Sequence, residues 1–101
     1  MGYKPKIKDK DIDELFKAIL TLETVEECYR FFEDICTVKE VISFSQRLQV
    51  AKLLQEEKTY EFIENETGAS TATISRINKF LHYGSDGYKV ALKRLKENNK
   101  I

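Results

Sequence analysis

Apolar residues recur at three- and four-residue steps along almost the whole chain, the spacing of one face of a helix. Over residues 11–22 they are Ile12, Leu15, Phe16, Ile19 and Leu20, which predicts an amphipathic helix. Thr24-Val-Glu-Glu27 has the form of a capping box and opens a second helix, with Val25, Cys28, Phe32 and Ile35 inward. Thr37-Val-Lys-Glu40 repeats that form and opens a third, running to about Gln55, with Val41, Ile42, Leu48 and Leu53 on its core side. Two short helices follow between Thr59 and Leu81. Gly84-Ser-Asp-Gly87 is turn chemistry, and Tyr88, Ala91, Leu92 and Leu95 mark a last helix. Pro5 is the one proline and no strand-like alternation occurs. The pattern predicts an all-α chain of six helices: one helical domain over 11–101 behind a short arm, 1–10.

The segment from Thr59 to Leu81 carries the most information. Thr59 caps its first helix, Gly68 supplies a left-handed backbone position that stops a helix without a Cβ penalty, and Ser70 caps the second. The spacing of Ile63, Gly68, Ala69, Ile74 and Ile77 fits buried positions that hold two helices at a steep angle. Thr71, Thr73 and Ser75 keep the opposite face small, and the bases Arg76 and Lys79 follow. Helix, glycine turn and a second helix rich in hydroxyls is the layout of a helix-turn-helix over about 59–82, whose second helix reads a major groove. Thr59 and Tyr60, with Ser70, Thr71, Ala72, Thr73, Ser75, Arg76 and Lys79, are the candidate contacts to double-stranded DNA. An ordinary helical hairpin is the competing reading.

Charge changes this picture in one respect. The 101 residues have no net charge, but its distribution is uneven. Residues 1–10 hold four lysines against one acid, residues 11–66 six bases against fourteen acids, and residues 67–101 seven bases against two acids. Local fields steer a charged ligand more than the total does, so the basic end that includes the second motif helix favours DNA. Lys96 and Lys100 read equally well as a solvated helix face. Glu61, Glu64 and Glu66 on the first motif helix count the other way, since phosphate-binding bases are expected there. An acidic, helical protein-interaction module that binds no specific DNA is the alternative function.

Other chemistry is thin. Cys28 and Cys36 are eight apart with a single histidine, His82, in the chain, which is not metal-ligand spacing. Lone cysteines in an apolar helical context suit a reducing, cytoplasmic setting. No secretory signal and no membrane-spanning run is read. No nucleophile–base set and no phosphate-cradling glycine loop occurs, so the expectation is a non-enzyme with no cofactor and no metal. Phe16, Tyr29, Phe31 and Phe32 load the first two helices with more apolar surface than one small core takes, and Tyr29, Phe31 and Phe32 cannot all share one face. Burial on two sides, by a second copy, is expected, and a homodimer would present two reading helices.

The run from SFSQRLQVAKLL through GASTATISRINKFLHYGSDGY resembles the Trp-repressor superfamily, in particular its YerC/YecD branch of Trp-repressor-related proteins. The likeness covers about Glu33 to Lys100, and GASTATISR is its most specific part. The resemblance implies a six-helix, interlocked homodimer whose fourth and fifth helices form the DNA-reading unit, and a role in transcription regulation.

It also implies an effector pocket, carried over only in part. Arg76 matches an arginine of the repressor's reading helix, Arg47 one of its third helix, and Thr37 the threonine at that helix's start. Where the repressor has glycine directly after the first arginine this chain has Ile77, and where it has a serine further on it has Phe80. Both fill space that an indole would need, so these side chains are expected to occupy the pocket and exclude tryptophan. A smaller effector whose carboxylate pairs with Arg47 or Arg76 is the alternative.

Overall fold

Capping chemistry sets where the helices begin. The computed structural model describes residues 2–98, and Lys100, counted above among the terminal bases, lies outside them. Among the described residues there are six α-helices and no strand: α1 (Lys10–Leu20), α2 (Val25–Ile35), α3 (Val38–Gln55), α4 (Tyr60–Thr67), α5 (Thr71–Tyr83) and α6 (Gly87–Asn98). Asp9, which the sequence pattern does not single out, caps α1 by accepting from the amides of Asp11 (2.9 Å) and Ile12 (3.1 Å). That helix stops two residues short of the expected end, because the amides of Thr21 and Leu22 turn back to Ala18 and Ile19 in a tighter, 3₁₀-like closure. At α2 the Thr24 hydroxyl accepts from the Glu27 amide at 3.0 Å. The returning arm of the box is displaced by one residue: the Glu27 carboxylate accepts from the amide of Glu23, at 2.7 Å. α3 starts directly after Thr37, where the second box places it.

The chain divides into two compact units between Val38 and Lys39. The first holds α1 and α2, and neither helix has a buried side chain. Val25, Cys28 and Ile35, expected inward, are exposed, and Phe32 is half-buried with its ring edge-on to Phe31 at 5.3 Å. The reason differs from the one the sequence suggests. α1 and α2 are the most one-sided of the six helices. Each has a single apolar face that the chain leaves open; neither is apolar all round. The helix whose apolar residues do spread around its circumference is α3.

The second unit is built on α3–α6. Its core is Val50 and Ala51 from α3, Ile63 from α4, Ala69 in the turn, Ile74, Ile77 and Leu81 from α5, and Leu92 from α6. Leu48, Leu53, Leu54, Tyr60 and Tyr88 pack around it while remaining partly exposed. Periodicity misplaces the buried side of α3: Ile42 is exposed and Val41 half-buried, while Val50 and Ala51 are fully enclosed. A helix with apolar residues on every side has no phase to read. In α6 only Leu92 is buried, and Ala91 and Leu95 lie outside. α5 ends at Gly84, where a side chain is excluded because its Cβ would stand 2.4 Å from the Phe80 carbonyl oxygen.

Candidate nucleic-acid interface

Three caps and one left-handed residue build the α4–α5 pair. The Thr59 hydroxyl accepts from the Phe62 amide at 3.1 Å and starts α4. Gly68 ends it at φ 75°, its amide bonded to the Glu64 carbonyl at 2.9 Å. Any side chain there would force a backbone that L-residues seldom adopt. The Ser70 hydroxyl then accepts from the Thr73 amide at 3.1 Å and starts α5. Gly68 itself is exposed, which corrects its placement among the buried positions; it acts through its backbone. Two residues outside the sequence reading brace the turn. Thr67 donates its hydroxyl to the Ile63 carbonyl (2.7 Å) and accepts from the Ala69 amide (3.1 Å). The Gln46 side-chain amide donates to the Thr67 carbonyl at 3.1 Å and so ties α3 to the end of α4. These bonds satisfy backbone groups that a helix end would otherwise leave orphaned.

Ile74, Ile77 and Leu81 face the core, so the other side of α5 is presented outward. Thr71, Ala72, Ser75, Arg76 and Lys79 are exposed on it, at helical steps that make one continuous stripe. Small side chains come first along this stripe and the two bases follow. Thr73 is half-buried, with its hydroxyl 3.1 Å from that of Ser70. Ser70 and Thr59 are exposed but occupied as caps, and Tyr60 is half-buried against the core. The Thr71 hydroxyl donates across the turn to the Glu64 carboxylate. Only the turn's geometry reveals that contact, because seven residues of chain separate the partners. His82 lies outside the stripe's chemistry, with Nδ1 2.9 Å from the Asn78 carbonyl oxygen.

The expected effector residues fall in both units. Thr37 belongs to the first unit, and Arg47, Arg76, Ile77 and Phe80 to the second. Within the second unit Ile77 is a core residue, Arg47 and Arg76 are exposed, and Phe80 is 52% exposed. A cavity of about 420 Å³ is lined by Lys52, Gln55, Glu56, Leu92, Leu95 and Lys96. Another of about 360 Å³ lies between Ile42, Ser45, Gln46, Gln49 and Leu53 of α3 and Glu66 and Thr67 of α4. None of the five effector residues lines either. Among the described residues no group of three or more His, Cys, Asp or Glu side chains is placed to hold a metal ion, and no helix is long and apolar enough to cross a membrane.

Comparison with known proteins gives a consistent result. Residues 10–96 match the family model described as "Trp repressor protein". The YerC protein of Bacillus subtilis (strain 168), itself uncharacterised, is 56% identical over 92 residues, covering 91% of this chain and 88% of its own. A crystal structure of a TrpR-like protein from Eubacterium eligens ATCC 27750 superposes with a TM-score of 0.86 at 53% identity, over 90% of this chain and 94% of that one. A crystal structure from Staphylococcus aureus, provisionally assigned as a Trp repressor, gives the same TM-score at 56% identity, over 90% and 91% of the two chains.

Proposed function

The chain belongs to the Trp repressor family, and from that premise we propose that it is a sequence-specific DNA-binding regulator of transcription, active as a homodimer and unresponsive to tryptophan. The observation that carries the first part is the outward stripe of α5. Its small residues Thr71, Ala72 and Ser75 allow close approach to base edges, and the bases Arg76 and Lys79 follow on the same stripe, where contacts to flanking phosphates are expected. Double-stranded DNA is the partner whose chemistry matches that order. The family is one of regulators rather than of enzymes, which favours this reading over a catalytic one.

Readout and anchoring separate experimentally. Replacing Ser75 by Ala should weaken binding to the preferred duplex by ~1–3 kcal/mol and shrink its margin over random DNA. Replacing Lys79 by Ala should weaken every duplex alike and reduce the slope of log affinity against log salt by about one per subunit. Titrations of both variants against selected and random duplexes over a salt series provide the check. Equal, sequence-independent losses would refute base reading by α5, and no duplex binding at all would favour the acidic interaction module.

Support for tryptophan independence comes from positions 77 and 80. Ile77 is built into the core, and Phe80 stands where the repressor has a serine. Calorimetry at millimolar L-tryptophan should therefore give no saturable heat, and DNA affinity should not change with the amino acid present. Phe80→Ser alone is the informative variant for testing space, because removing Ile77 would open the core as well. Saturable heat in the unsubstituted protein would overturn this part of the reading.

A further inference from the structure

Glu64 is the exception on the reading face. It is half-buried near the end of α4, and its carboxylate receives the hydroxyl of Thr71, the first residue of α5. An acid there weakens attraction for phosphate, so its presence at the front of a DNA-reading helix asks for a chemical reason. A carboxylate accepts hydrogen bonds and cannot donate them. The single proton of Thr71 is therefore spent on Glu64. What Thr71 retains for an outside partner is its oxygen lone pairs and its methyl group, and what Glu64 retains is further acceptor capacity. Between them, the side chains of Glu64 and Thr71 thus offer acceptors alone.

The four bases answer that pair differently in the major groove. Cytosine shows an amino donor, guanine two acceptors, thymine an acceptor and a methyl, and adenine a donor beside an acceptor. We propose that Glu64 and Thr71 form an acceptor-only pair that selects cytosine at the base facing the start of α5 and rejects guanine there. This rests on the DNA-reading function proposed above and names what that surface reads. Adenine ranks second, since its N7 lone pair opposes the carboxylate while its amino group suits it. A merely structural role, in which the carboxylate braces the N-terminus of α5 through its dipole, would set stability and overall affinity without touching base preference.

Selection from a random duplex pool, run in parallel on the full chain and on Glu64→Gln and Thr71→Val variants, tests this. The unsubstituted protein should enrich cytosine over guanine at one position of each half-site by on the order of tenfold. Glutamine adds an amide donor, so Glu64→Gln should bring that position close to parity, leave the others unchanged, and bind all duplexes more tightly for the lost negative charge. Thr71→Val keeps the shape and removes the hydroxyl, and it should reduce the same preference. Thermal unfolding of each variant establishes that it is folded. If both folded variants keep the parent's base profile and differ only by a uniform change in affinity, Glu64 does not read DNA and the proposal is overturned. A parent protein with no base preference anywhere would overturn the regulator reading, and this inference with it. A parent with clear preferences but none for cytosine at an α5-facing position overturns the inference alone.

Discussion

Ile74→Ala should cost about 2–5 kcal/mol of folding stability, read as a lower denaturant midpoint with little change in slope. Ile74 has no exposed surface, and it belongs to one buried cluster with Val50 of α3, Ile63 of α4 and Ile77 of its own helix. Truncation there loses the transfer free energy of three carbons and leaves a cavity that rigid neighbours do not fill. Domains of this size are held by about 5–15 kcal/mol in total, so the loss is a large share. The functional consequence follows from position: Ile74 lies between Thr73 and Ser75, and the outward stripe is only as fixed as the buried one behind it. Ile42, on exposed surface of α3, provides the control, and Ile42→Ala should shift the monomeric unit's stability by no more than ~0.5 kcal/mol. A loss below ~1 kcal/mol at Ile74 would show that α5 is not anchored as described.

The second large effect concerns self-association. Leu20 is 83% exposed and Val25 74%, and both belong to the open apolar faces of α1 and α2. Covering a Leu or Val side chain is worth ~1.5–3 kcal/mol, so a second copy of the chain gains substantially by closing those faces. The full chain should sediment as a dimer at micromolar concentration. Leu20→Glu combined with Val25→Glu should weaken the dimer by about 10⁴-fold or more, because both chains carry the pair and four such burials are lost. Because paired half-sites need two reading helices, the same variant should lose most of its affinity for a selected duplex while its second unit stays helical. A parent protein that remains monomeric at tens of micromolar would refute the homodimer.

How far the sequence led depended on what kind of signal each residue carries. Helix starts were legible where a side chain acts on its own neighbours: Thr24, Thr59 and Ser70 bond the amides within three residues of them, a local contact that spacing encodes. Gly68 was legible as a left-handed stop for the same reason, and Ile63, Ala69, Ile74 and Ile77 as core because α4 and α5 have clear apolar phases. α3 was not, since its apolar residues point every way and only the neighbours decide that Val50 and Ala51 are enclosed. The Gln46–Thr67 and Thr71–Glu64 bonds were invisible because each joins different helices. Asp9 caps in the same local way but stands between Lys8 and Lys10 in a run of charged residues, where it reads as part of the arm. The resemblance drew attention to the effector positions, and at Ile77 it meets the apolar phase of α5, which had already marked that residue as core.

The turn at Gly68 also has a kinetic meaning. Ile63, Ala69, Ile74 and Ile77 lie within fifteen residues of one another in the chain, so the contacts that define the α4–α5 pair close short loops. Short loops form in roughly 10–100 ns, and folds dominated by local contacts reach the native state in microseconds to milliseconds. A nascent chain can therefore shape this pair soon after Leu81 is clear of the ribosome, whereas in the homodimer proposed above the apolar faces of α1 and α2 close only on encounter with a second chain. For such a dimer, assembly, which depends on concentration, is the slow event in making the protein.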